Sequence, residues 1–221
     1  MWRLYQFPLC PFSRAVRFAL AEKGQTAELV LAYPWERGET LSRLNPAIQT
    51  PVLENGSLVL CDSQAILEYL DETVERTPLV GAGAAERAEA RRLSHWFAQR
   101  FYADVTAPLL AERMYKRLVT REAPDGIAIR NANRAAELQL QYIDDLLDEN
   151  RWLAGPTMGI ADIHAAAQIS VADYLGGIDW RGHSAAKIWY SALKSRPSFR
   201  ALLADRMEGI RPPADYDKLD F

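Results

Sequence analysis

The stretch Trp2-Arg3-Leu4-Tyr5-Gln6-Phe7-Pro8-Leu9-Cys10-Pro11-Phe12-Ser13-Arg14 runs an apolar, strand-like segment straight into a helix start. Proline suits the first helical position, because its missing N–H has no intrahelical bond to lose there. The apolar spacing of Val16, Phe18, Ala19 and Leu20, ending at Lys23-Gly24, predicts a helix with a glycine stop. Cys10 then stands just outside a helix N-terminus. Free backbone N–H groups and the positive end of the helix dipole favour a thiolate at that position. Arg14 and Arg17 are placed to strengthen the field. The same cysteine can equally serve as a small buried apolar residue. Four residues do not separate the two readings.

Outward from this junction, residues 1–76 alternate strand-like and helix-like pieces. Leu4 to Phe7 reads as a strand, Pro11 to Lys23 as a helix and Glu28 to Leu31 as a strand. Trp35 to Leu44 reads as a short polar helix before the turn Asn45-Pro46. Pro51 to Glu54, then Asn55-Gly56, then Ser57 to Leu60 read as a hairpin with a two-residue Asn-Gly turn. Ser63 to Val74 carries Ala65, Ile66, Tyr69 and Leu70 on one helical face. The order βαβ, α, ββα predicts a small mixed sheet flanked by helices. The Pro/Gly-rich run within residues 77–84 marks a linker. Strand signal disappears beyond it. Ala84 to Lys116 is one long helical pattern, bent near Pro108, and Asp125–Asn150, Ile160–Leu175, Ser184–Ser195 and Pro197–Leu203 follow. Residues 85–204 are therefore expected to be all-helical, with a tail over 205–221.

The 221 residues, 49% hydrophobic, suffice for a substantial core. A net charge of −3 gives no sign of a nucleic-acid partner. Two cysteines, Cys10 and Cys61, are too few for a disulfide framework. Met1-Trp2-Arg3 opens no apolar signal region, and no apolar run approaches the ~20 residues of a membrane span. A reducing cytoplasm is the expected compartment. No metal-ligand motif stands out.

Asn45-Pro46-Ala47-Ile48-Gln49-Thr50-Pro51-Val52-Leu53 resembles the Asn-Pro…Val-Pro-Val-Leu segment of the cytosolic glutathione transferases, with Thr50 in place of the usual valine. Asp62-Ser63 resembles the acidic-Ser pair that opens that family's third helix. The resemblance implies a thioredoxin-like α/β N-terminal domain followed by an all-α C-terminal domain, the glutathione transferase fold. It implies glutathione as co-substrate, with Pro51 cis. Gln49, Thr50 and Pro51 would then lie along the tripeptide. Ser63 and the helix N-terminus would hold the γ-glutamyl carboxylate, and Asp62 its ammonium. Leu153-Ala154-Gly155 and Ile160-Ala161-Asp162-Ile163 resemble the segment leading into the family's central helix, with Gly159 where a Ser/Thr cap is usual. His164 on that helix reads as a polar core residue. The family is commonly dimeric. The apolar surplus of Trp96, Phe97, Phe101 and Val105 also points to a homodimer, with some of these lining an interdomain cleft.

Two functional readings follow. Cys10-Pro11-Phe12 resembles the Cys-Pro-Phe of omega-type transferases, which implies Cys10 as a catalytic thiol, with Ser13 as the alternative and Tyr5 as a third candidate. In contrast, Tyr33-Pro34-Trp35-Glu36-Arg37, the run Lys194 to Arg206 and the tail Gly209 to Phe221 resemble a group of bacterial division proteins of the same fold that bind FtsZ filaments. That resemblance implies a division-site regulator. Trp35 is its exposed anchor, and Asp217, Asp220 and Phe221 belong to an acidic-aromatic docking tail held stiff by Pro212-Pro213. The second reading is preferred.

Overall fold

The computed structural model describes residues 1–219. Four strands form one sheet in the order β2-β1-β3-β4. β1 (Trp2–Gln6) lies inside it, with Leu4, Tyr5 and Gln6 all buried, as expected of a strand covered on both faces. β2 (Ala27–Leu31) pairs with it in parallel, after the crossover helix α1 (Pro11–Glu22). β3 (Val52–Asn55) pairs antiparallel to β1, with Leu4 opposite Leu53, and β4 (Leu58–Cys61) closes the hairpin. Thr50–Pro51, just before β3, is cis. α3 (Ser63–Thr73) follows β4.

Two local expectations shift. The helix read over Trp35–Leu44 is two pieces: a 3₁₀ turn, Pro34–Glu36, and α2 (Glu39–Leu44). Arg37 at φ 50° separates them, a left-handed residue of the kind that ends a helical turn. The hairpin turn is Gly56-Ser57 rather than Asn55-Gly56, because Asn55 still pairs with Leu58. This gives Gly56, at φ 62°, the first central position, where a left-handed conformation suits glycine.

Among the described residues no strand follows Cys61. α4 (Ala84–His95) continues through a π-helical stretch Trp96–Thr106, the single turn α5 (Ala107–Leu110) and a second π-helical stretch Ala111–Thr120. Pro108 lacks an N–H and crowds the carbonyl one turn earlier. The helix continues past it, with these wider turns on either side. α6 (Gly126–Glu149) starts at Asp125, whose carboxylate accepts from Ile127 N at 2.7 Å. α7 (Ile160–Tyr174) is buried at every position, the mark of a core helix. α8 (Ser184–Lys194) and α9 (Pro197–Leu203) complete the set. One buried apolar cluster runs from Leu4 to Tyr216 through both halves.

The start of α7 explains its missing Ser/Thr cap. Asp162 Oδ2 accepts from Gly159 N at 2.9 Å, while its Oδ1 accepts from Leu153 N at 3.0 Å and Trp189 Nε1 at 2.9 Å. A Cβ on Gly159 would meet the Leu79 carbonyl oxygen at 2.6 Å, so no side chain fits there.

The tail is docked, not free. Tyr174 Oη donates to Ile210 O and accepts from Met207 N, both at 3.0 Å. Tyr216 is 1% exposed, and its hydroxyl accepts from Arg14 Nη1 at 2.9 Å. The sequence alone gives no hint of this, because the pair spans almost the whole chain. Tyr216→Phe is expected to lower unfolding free energy by ~1.5–3 kcal/mol in urea titration, as for a lost hydrogen bond to a charged group. A loss below ~0.5 kcal/mol would mean that the phenol contributes nothing. Gly159→Ser is expected to destabilise by ~1–3 kcal/mol through overpacking, although serine is ordinarily the better cap. An unchanged or higher midpoint would show that the Leu79 carbonyl moves aside freely.

Candidate functional site

Cys10 is the N-cap of α1, as the sequence suggests, and its thiol is almost wholly buried. It is 3% exposed. Its Sγ accepts from Ser13 N and Thr50 Oγ1, each at 3.4 Å, and is 3.5 Å from the Thr50 carbonyl oxygen. That carbonyl suits an S–H donor and opposes a thiolate. Burial pushes the Cys10 thiol above its ordinary value, and the hydrogen bonds from Ser13 and Thr50 only partly offset it. The expected arginine field is also missing. Arg14 turns to Pro8 O, Ser170 Oγ and Tyr216 Oη, while Arg17 makes a two-pronged pair with Asp205 at 2.6 and 3.0 Å. Desolvation thus acts on the Cys10 thiol against the helix dipole. Ser13 is fully buried, and its Oγ has no hydrogen-bond partner among the described residues. Tyr5 lies in the sheet, its hydroxyl on Glu54 Oε2 at 3.1 Å.

Cys10 opens onto a cavity of about 510 Å³. Phe7, Phe12, Trp35, Gln49 and Thr50 form one wall, and Ala98, Tyr102, Leu110, Met114 and Tyr115 of the long helix form the other. Trp35 is half-buried here, stacked on Tyr33 with ring centroids 4.7 Å apart and edge-on to Phe7 at 5.2 Å. It is thus a cavity wall rather than a fully exposed anchor. Tyr102, packed on Phe12 at 4.8 Å, went unrecognised in the sequence. Phe97, Phe101 and Val105 are fully buried in the core of the chain, and Trp96 Nε1 donates to Gln139 Oε1 at 2.8 Å. None of these four lines the cavity. Their apolar surplus is absorbed within one chain and gives no support for a dimer. Ala98 and Tyr102, at i,i+4 spacing on another face, were the signal for the wall.

The polar residues gather at the strand ends. Asn45 Nδ2 holds the Gln49 carbonyl at 2.9 Å, leaving Gln49 exposed at the cavity rim. Val52 pairs with Cys61, so continuing that register sets Asp62-Ser63 beside Thr50-Pro51. Asp62, exposed and at φ 76°, caps α3 by accepting from Ala65 N at 3.1 Å. Ser63 is buried, with Oγ 3.1 Å from His164 Nε2. Burial lowers His164 to about 4, so its ring is neutral. Neither Asp62 nor Ser63 lines the cavity itself. Among the described residues no group of three or more His, Cys, Asp or Glu is placed to hold a metal. No described helix is long and apolar enough to cross a membrane.

The tail forms a second candidate surface. Asp217 pairs with Arg206 at 2.9 Å and Asp215 with Lys218 at 2.6 Å, both exposed pairs. Asp220 and Phe221 lie outside the described residues. Ile210 to Pro213 wall a cleft of about 630 Å³ that Arg113, Arg117, Arg121 and Arg211 also line. The sequence does not reveal this cleft, because its arginines come from the long helix and the tail.

Alkylation of Cys10 by iodoacetamide, followed in a Cys61→Ser background, is expected to rise with pH through a midpoint at or above ~8.5, the free-thiol value. A midpoint below about 7 would establish an activated thiol.

A family model described as glutathione S-transferase, N-terminal domain, matches residues 4–78. FtsZ-localized protein A of Caulobacter vibrioides is 48% identical over 223 aligned residues, 99% of this chain and 97% of that protein. The solved structure of FzlA from C. crescentus superposes with a TM-score of 0.96 at 47% identity, covering 100% of this chain and 99% of that one. A glutathione S-transferase from Rhodospirillum rubrum F11 gives a TM-score of 0.97 at 44% identity, covering all of both chains. The chain belongs to the glutathione S-transferase family, in the group that includes FtsZ-localized protein A.

Proposed function

We propose that this protein binds FtsZ filaments at the division site in the cytoplasm and regulates them, acting as a homodimer. The observation that carries this reading is the 48% identity with FtsZ-localized protein A over essentially the full length of both chains. The burial of Cys10, which pushes its thiol upward, favours it over thiol catalysis. The contact surface is the docked tail. Buried Tyr216 holds the segment in place, so Asp215, Asp217 and Leu219 face outward; Asp220 and Phe221 are next in sequence. The adjoining arginine cleft gives this surface a cationic flank. Trp35 contributes from the cavity rim.

A second reading concerns the pocket. The N-terminal family match and the placing of Asp62-Ser63 beside Thr50-Pro51 support a site for glutathione or a similar γ-glutamyl peptide. Cys10, which lines the cavity, would face its thiol, whereas fully buried Ser13 would act only from behind it; Gln49, Thr50 and Pro51 would run along its backbone. A retained pocket and a filament-binding surface are compatible in one fold.

Co-pelleting with FtsZ filaments tests the first reading. Asp220→Lys is expected to reduce pelleting while leaving the thermal midpoint nearly unchanged, since surface substitutions usually fall within ~0.5 kcal/mol. Added salt is expected to weaken the wild-type complex, and Cys10→Ser to leave it intact. Equal pelleting of wild type, Asp220→Lys and a chain ending at Tyr216 would refute the tail contact. In sedimentation, a lone 24.9 kDa species at micromolar concentration would refute the dimer.

A further inference from the structure

Three elements fix the shape of the arginine cleft beside the tail. The long helix supplies Arg113, Arg117 and Arg121 at four-residue steps, and the tail supplies Ile210, Arg211, Pro212 and Pro213. The end of α7 joins the two sides. Tyr174 Oη holds the tail at Ile210 O and Met207 N, and Leu175 O accepts from Arg113 Nη1. Gly176, at φ 67°, allows the close approach: a Cβ there would meet Arg113 Nη1 at 3.0 Å and Pro213 Cγ at 3.6 Å.

Positive charge collects here in a chain whose net charge is −3. Of the two acidic side chains in the lining, Glu112 is taken by Lys116 Nζ at 2.7 Å and Asp125 N at 2.6 Å, which leaves Glu122 against four arginines. Arg117 and Arg211 are exposed, and neither guanidinium has a hydrogen bond or ion pair among the described residues. Guanidinium forks match carboxylates and phosphates alike. The backbone separates the two. Phosphate sites commonly add free backbone N–H groups, at a helix N-terminus or in a nest. Here Pro124, Pro212 and Pro213 have no N–H, and those of Leu175, Gly176 and Ile210 are spent on the carbonyls of Val171, Asp173 and Met207. The guanidinium groups share the cleft with an apolar wall of Ile210 and two prolines. Side chains four apart on a helix stand about 5–6 Å apart. Alternate residues of an extended chain stand about 6.7 Å apart and point the same way.

We propose that this cleft docks an extended acidic segment of a partner protein, its carboxylates on the arginines of the long helix and its alternate aliphatic or aromatic side chains on Ile210, Pro212 and Pro213. The site does not rest on the filament reading and is tested without FtsZ.

Fluorescence anisotropy of a labelled, end-blocked Glu-Leu-Glu-Leu-Glu peptide, titrated with the full chain at low salt, gives the affinity. Arg117→Gln and Arg211→Gln are each expected to weaken binding about three- to fivefold, and together about tenfold or more, as for charge pairs near the surface. Both side chains are exposed, so the thermal midpoint of each variant should stay near that of the wild type. Arg134→Gln, which removes an exposed arginine outside the cleft, is expected to change binding less than about twofold. The peptide with Gln for every Glu, and the peptide with Gly for every Leu, should both bind more weakly than the parent, the first because it loses the charge and the second because it loses the apolar contact. No binding of the parent peptide at millimolar protein overturns the proposal. So does an equal loss in Arg134→Gln, or unchanged binding in the double variant, since either would reduce the effect to general charge attraction. Equal affinity for the Gly-containing peptide would remove the apolar half. Tripolyphosphate binding more tightly than the peptide, and displacing it, would assign a phosphate site instead.

Discussion

The Arg14 guanidinium is fully buried, and four separate parts of the molecule supply its partners, with Nη2 left to an ion pair alone. Its Nε donates to Pro8 O at 2.8 Å, and Nη1 donates to Ser170 Oγ and Tyr216 Oη, each at 2.9 Å. Asp205 supplies the counter-charge at 3.6 Å and is itself clasped by Arg17. A buried charge left without its partners costs about 3–5 kcal/mol. The loop before Cys10, helix α7, the segment after α9 and the tail must therefore all be in place together. One side chain from the sheet half thus ties down three parts of the helical half.

This constraint also separates the two candidate sites. The arginines nearest to Cys10 in sequence are drawn to Asp205 and the tail, so the thiol sits against Thr50 with no cation beside it. The cavity around it is walled by aromatic and apolar residues, with its polar groups set apart at the end of the hairpin. At the tail, the buried Tyr216 gives a polar segment a fixed course over the surface, stacked edge-on to Tyr174 at 5.1 Å. Ordering that segment beforehand lowers the entropy to be lost on binding a partner. The family's cleft and the tail surface can then serve different ends on one scaffold.

What was legible in the sequence was local. Pro11 after Cys10 sets a helix start, Asp62-Ser63 sets another, and alternation marks the hairpin, because each signal lies within a turn or two of its effect. Errors arose where two local rules competed. Asn55-Gly56 is a strong turn pair, yet Asn55 stayed in the ladder and Gly56-Ser57 turned. The helix read over Trp35–Leu44 missed the left-handed Arg37, which nothing in its side chain signals. The site was legible as a set of residues but not as an electrostatic state. Helix position alone favours a Cys10 thiolate, whereas its burial depends on long-range packing. Tyr216, the arginine cleft and the Ser63–His164 contact, which spans 101 positions, could not be read from neighbours in the chain.

Hydrogen–deuterium exchange of the tail, with and without FtsZ filaments, tests the central claim most directly. In the free protein the amides of Ile210, Tyr216 and Lys218, bonded to Met207, Pro213 and Asp215, are expected to exchange more slowly than in an unstructured chain. Filaments are expected to slow residues 215–219 further. A tail that exchanges at unstructured rates in the free protein, and does not change when filaments are added, would contradict both its docking through Arg14 and its role as the contact.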